Sequence, residues 1–186
     1  MKKIALNVLN QIIPIMIGVY LGFALNNFGE DRQLKRQANT FRNMLRTEIG
    51  ENLEELEGVR PYHAQLLEDF SGLLHSDDLK KAFEEYSLKG LRPGFVNSSA
   101  FNTGIQTGII QQFDLNLIQL LNRLYTLQEK YNSFNESMIA SLSSRAFPET
   151  EKEIRSVLIS VSMSMTDVHQ FEQELIRSYQ LVLEQL

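Results

Sequence analysis

The chain contains no cysteine. That excludes disulfide staples, thiol nucleophiles and sulfur-ligated metal centres, and it leaves the redox compartment open. Helix breakers are scarce, with four prolines and ten glycines in 186 residues. Together with long apolar periodicities, this predicts helix nearly throughout. Histidine is rare as well: His63, His75 and His169 are too widely spaced to read as a ligand set. There is no HExxH, no EF-hand loop and no phosphate-cradling glycine loop. Gly104-Ile-Gln-Thr-Gly108 follows no strand, so it is no nucleotide fingerprint. Ser141, Ser143, Ser144, Ser160, Ser162 and Ser164 lie on helical patterns without a GxSxG elbow. A surface or half-buried position is expected of His169, beside Val168 and Phe171, rather than the role of a catalytic base. No cofactor or metal is expected, and the chain reads as a non-enzyme.

Basic charge is in deficit. All 23 acidic residues follow Leu25, with 16 of the 18 basic ones, so the body carries a net −7. A nucleic-acid partner needs a basic surface that releases counterions and is therefore not expected. The acidic balance reads as ordinary solubility.

What is present is a charge-free run from Ile4 to Leu25, bounded by Lys2 and Lys3 on one side and by Glu30, Asp31 and Arg32 on the other. As a helix of about 22 residues it would rise roughly 33 Å, enough to cross a hydrocarbon core of about 30 Å. The expectation is an N-terminal transmembrane anchor over 1–27 and a helical bundle domain over 28–186. A cleavable signal is the competing reading, with Gly22-Phe23-Ala24 as its processing site. Against it, the run exceeds a signal core of about 7–15 residues.

Polar and small residues in the run also share one helical face: Asn7, Gln11, Pro14, Gly18 and Gly22, with Asn10 beside them. Gly18-Val-Tyr-Leu-Gly22 is a GxxxG, which lets two backbones approach closely in lipid. This face predicts a helix–helix contact, and with it membrane lipid and a second copy or another membrane protein as partners. Asn7, Asn10 and Gln11 lining a wet path would instead make the chain a subunit of a membrane channel or transport complex. Pro14 predicts a kink, through its missing donor and its clash with the carbonyl of Asn10. Basic residues flank both ends of the run, and the short Met-Lys-Lys leader tilts the reading toward an extracytoplasmic body.

Beyond Gly29, Leu34, Ala38, Phe41, Leu45, Ile49, Asn52 or Leu53, and Leu56 recur at helical spacing, and Gly58 and Pro61 are expected to end this juxtamembrane helix. Glu48, Glu51, Glu54, Glu55 and Glu57 read as a solvated acidic face. A second helix is predicted over Tyr62–Leu74, and a short third one capped within Ser76-Asp77-Asp78. Lys89–Gly94 reads as the hinge between two halves. Asn97 and Ser98 open another short helix, limited by Gly104 or Gly108. Gly108 has the character of a left-handed residue just past a helix end, with Ile109 and Ile110 folding back onto the core. Asp114 caps the best-formed helix, whose stripe is Leu117, Leu121, Leu124, Leu127 or Gln128, Tyr131, Phe134, Met138 and Leu142. Pro148 suits the first turn of the last helix, in which Ile154, Leu158, Val161, Met165, Val168, Phe171, Leu175 and Val182 face inward. These elements make an all-α antiparallel bundle with an N-terminal membrane helix running into it.

Two segments also resemble a family of uncharacterised bacterial single-pass membrane-anchored helical proteins. In residues 12–32, Gly18 and the Asn26-Asn27-Phe28-x-Glu30 exit match in kind, although that family more often has tryptophan at the aromatic position. In residues 100–131, Phe101, Gly108, Asp114, Leu121 and Tyr125 match a glycine turn followed by a capped helix. The resemblance covers about a third of the chain. It implies an anchor and a helical domain, and no reaction.

Overall fold

The structure, a computed structural model, describes residues 2–87, 89–144 and 146–186, and of helix residues 2–15 and 23–28 it describes no side chain. The described residues contain no strand. Five α-helices follow in order: α1 (Lys2–Leu74), α2 (Leu79–Glu85), α3 (Ser99–Thr107), α4 (Leu115–Ser143) and α5 (Glu151–Gln185), with a 3-10 turn (Ile109–Gln112) after α3. The chain is all-α, as its periodicity predicts. Among the described residues no helix is long and apolar enough to cross a membrane. Most of the expected span Ile4–Leu25, including Asn7, Gln11 and Pro14 of its polar face, has side chains outside those described.

The expected break at Gly58 and Pro61 is absent, and α1 passes through both to Leu74. The reason lies in the buried stripe. Leu56, His63, Leu66 and Phe70 continue the phase set by Phe41, Leu45, Ile49 and Asn52, while Pro61 is exposed on the opposite side. Packing on both sides of the proline outweighs the single hydrogen bond it removes. Among the described residues, Phe41 is the first buried side chain of α1, so the packed body begins there.

α5 is the central helix, approaching both α1 and α4, whereas α1 and α4 approach each other little. The space between them is filled by α3 and by the irregular segment 89–98, here called the strap. Leu45, Ile49, Leu121, Leu124, Leu158, Met165 and Leu175 are almost fully buried in the shared core. Asp78 and Asp114 cap α2 and α4 by accepting from Lys81 N (3.0 Å) and Leu117 N (2.9 Å). Thr150 and Glu153 form a reciprocal capping box on α5. Pro148 therefore lies outside the last helix instead of in its first turn, because the stronger Thr150 cap sets the start. The chain end is held by Arg42, which donates to the Leu186 carbonyl at 3.0 Å.

α3 ends at Gly108, in the left-handed region at φ 72°, and Ile110 packs into the core behind it. Gly104 lies inside α3 at a close approach. A Cβ there would run into the Phe41 ring, which is 3% exposed and stacked on Phe113 at 5.3 Å. Gly104→Ala should therefore destabilise by about 1–3 kcal/mol through overpacking. Gly50→Ala on α1, which meets nothing within 4 Å, should stabilise by about 0.5–1 kcal/mol. Urea unfolding of the two variants checks both signs.

Candidate functional site

The strap forms no regular element, yet the backbone of Gly94 and Val96 is buried. Its polar groups need partners, because burying an unpaired peptide group is costly. Side chains of the surrounding helices supply them in two polar layers that cross the core.

The first layer lies near the start of α3. Asn52 of α1 uses both ends of its amide on Asn97: Oδ1 accepts from Asn97 N at 2.7 Å and Nδ2 donates to Asn97 O at 2.7 Å. The pair mimics one rung of a sheet. Gln128 of α4 donates to the same carbonyl at 2.7 Å and accepts from the Tyr179 hydroxyl of α5 at 2.8 Å. Asn132 donates to Val96 O at 3.2 Å, and Glu55 accepts from Phe95 N at 3.3 Å.

Glu48 completes this layer. It does not belong to the solvated face expected of it but is 6% exposed. Its carboxylate accepts from Ala100 N (2.6 Å), Phe101 N (3.4 Å) and the Tyr125 hydroxyl (2.7 Å). It thereby caps α3 from another helix, where its charge suits the positive end of the dipole. Ser98 makes no side-chain cap of its own. Tyr125 stacks on Phe101 at 4.0 Å, and burial followed by the Glu48 carboxylate pushes its hydroxyl far above the ordinary tyrosine range.

The second layer centres on His63 and Glu172, both 0% exposed. His63 Nδ1 lies 2.7 Å from Glu172 Oε1, and Nε2 lies 2.9 Å and 3.0 Å from the strap carbonyls of Leu91 and Arg92. Every hydrogen-bonding direction of the imidazole thus meets an acceptor, the arrangement a doubly protonated ring requires. Burial works against that charge, but the hydrogen bond and charge of Glu172 and the two carbonyls outweigh it, so the His63 pKa is raised. The Tyr131 hydroxyl donates to Glu172 Oε1 at 3.2 Å. Glu172 Oε2 is buried without a hydrogen-bond partner, and His169 Nδ1 is 3.8 Å away. Burial and then Arg60 lower the pKa of His169, which is 27% exposed. Next to this layer Tyr62 donates to Gly90 O at 2.5 Å and carries the Arg92 guanidinium over its ring at 4.7 Å.

The two layers have one chemical capability on view, which is fixing the strap. A catalytic reading of His63–Glu172 fails on access, since neither side chain is reachable from solvent. The residues expected to form a membrane seam are not part of this cluster. Gly18 and Gly22 are exposed on α1 with nothing within 4 Å, and Asn7, Gln11 and Pro14 lie outside the described side chains. Gly108 serves the backbone turn after α3. Sequence reasoning missed His63, Glu172 and Glu48. The signal was there: each polar residue occupies a phase that the apolar stripe of its helix reserves for the core.

No family model matches the chain, and no curated protein or solved structure does either.

Glu172→Ala should cost about 3–5 kcal/mol by stranding the charged His63, whereas Glu174→Ala, exposed two residues on, should stay within about 0.5 kcal/mol; equilibrium unfolding compares them. The two histidines also set opposed pH slopes. His63, raised above 6.5 in the fold, stabilises fully below that value and loses the contribution as pH climbs through its folded pKa. His169, lowered from 6.5, destabilises as pH falls from there toward its folded pKa. Thermal unfolding should show the His63→Gln variant with a flattened alkaline limb and the His169→Gln variant with a flattened acid limb.

Proposed function

We propose that the chain is a membrane-tethered helical interaction module that self-associates through its first helix. The observation that carries this reading is the bare apolar stretch on α1. Met16, Ile17, Val19, Tyr20 and Leu21 are 52–73% exposed, with the packed body of the same chain beginning only at Phe41. A contiguous apolar helix surface left in water is unfavourable by about 25 cal/mol per Å² of apolar area, so lipid or another chain is its natural cover. The charge-free run from Ile4 to Leu25 and the positive leader favour lipid, and the resemblance to single-pass anchored helical proteins points the same way.

Self-association is supported by Gly18 and Gly22. They sit one turn apart and face open space, so a second helix could approach the α1 backbone there. Beyond the bilayer, α1 becomes the spine of a bundle whose strap is fixed at many points, a rigid body suited to presenting a surface. The buried polar chemistry supports a structural role, and the reading is of a scaffold, not an enzyme.

The absence of cysteine makes the test clean. In native membranes, Gly18→Cys should give a disulfide dimer on mild oxidation and Tyr20→Cys, about 200° around the helix, should give little. Alkaline carbonate should leave the unmodified chain in the pellet. Equal crosslinking at both positions, or none at Gly18, would remove the seam; release by carbonate would remove the tether.

A further inference from the structure

At the end of the body remote from Phe41 lies a pocket of about 980 Å³. Phe70 of α1, Phe83 of α2, Leu91 and Pro93 of the strap, Leu142 of α4 and Val157 of α5 wall it, and the α4–α5 connection adds Phe147. The volume is at the upper end of what drug-sized ligands occupy. Polar groups are few. Among the described lining residues they are Glu84, which pairs with Lys80 on the exposed face of α2, Ser143, and the Tyr86 hydroxyl, which is already donated to Asp69 at 2.9 Å.

We propose that this pocket binds an uncharged apolar small molecule. Two observations favour that occupant. An extended peptide would bury backbone N–H and C=O groups against walls that offer almost no partners. The walls are also set before anything binds: Leu91 and Pro93 belong to the strap, whose carbonyls His63 holds from behind, and preformed apolar concavities suit small ligands. Phe147, 80% exposed, stands at the pocket with its ring tilted against that of Phe83 at 6.1 Å and adds apolar surface to the wall.

The ligand comes from the aqueous side. Phe70 is 45 residues beyond Leu25 along α1, about 68 Å at 1.5 Å per residue, out of reach of an acyl chain still in the bilayer. This clause alone rests on the membrane reading; the pocket does not.

The test uses the full chain in nanodiscs of phosphatidylglycerol and phosphatidylethanolamine, photolabelled with the uncharged probe 3-trifluoromethyl-3-phenyldiazirine and mapped by peptide mass spectrometry. Adducts are expected in 139–148, saturating with probe concentration, and in the first helix, rising linearly. Ala146→Trp and Ile139→Trp should each reduce the 139–148 adducts at least tenfold, with first-helix adducts and helical circular dichroism unchanged. Absent or non-saturating labelling of 139–148 in the unmutated chain overturns the pocket, as does labelling that survives both tryptophans. A second arm places the diazirine at the end of a phosphatidylcholine acyl chain. Labelling confined to the first helix supports a ligand from water; labelling of 139–148 overturns that route and leaves the pocket's own result intact.

Discussion

The fold depends on finding partners for the peptide groups of the strap. A segment between α2 and α3 enters the gap between α1 and α4 with no helix or sheet to absorb its N–H and C=O groups. Amides, a carboxylate and an imidazole from two helices, α1 and α4, take the place of a ladder. Asn52, Gln128 and His63 are well suited because each offers donors or acceptors in fixed directions, and Asn52 presents both at once. Once these bonds are made, the position of the strap fixes the walls of the apolar pocket and the start of α3.

Such layers contribute less to net stability than to uniqueness. Exchanging water for protein partners gains only about 0.5–1.5 kcal/mol per neutral hydrogen bond, whereas leaving one buried group unpaired costs about 1–3 kcal/mol. Sliding α4 or α5 by one turn would keep most apolar contacts but strand Gln128, Tyr179 or Glu172. The apolar stripes make the bundle cohere, and the polar residues set its register. His63 and Glu172 belong to this second group, which explains how an ionisable pair is fully buried with no pocket in front of it.

Much of the architecture was legible in the chain. The period of the stripes in α4 and α5 marks their inward faces, Asp114 marks a helix start, and the end of α3 at Gly108 follows from the need for a left-handed residue. Other features were not legible for physical reasons. Proline and glycine weaken a helix locally, but whether they end it depends on packing on both flanks, so the continuity of α1 through Pro61 is a tertiary outcome. Glu48 looked solvated because nearby glutamates are; its burial depends on the N-terminus of α3, fifty residues later. Phe171 and Glu172 are adjacent and compete for the core phase. The hydrophobic rule chose the phenylalanine, and the partner that selects the glutamate sits on another helix.

One geometric consequence follows from α1 serving at once as leading helix and as spine. Gly18 on the glycine face and Phe41 on the core face are 23 residues apart. At about 100° per residue, that separation turns one face roughly 140° away from the other. Two chains joined at their glycines would therefore carry their bodies outward, back to back, without collision. A twist of either leading helix about its own axis would swing the attached body like a vane on a shaft.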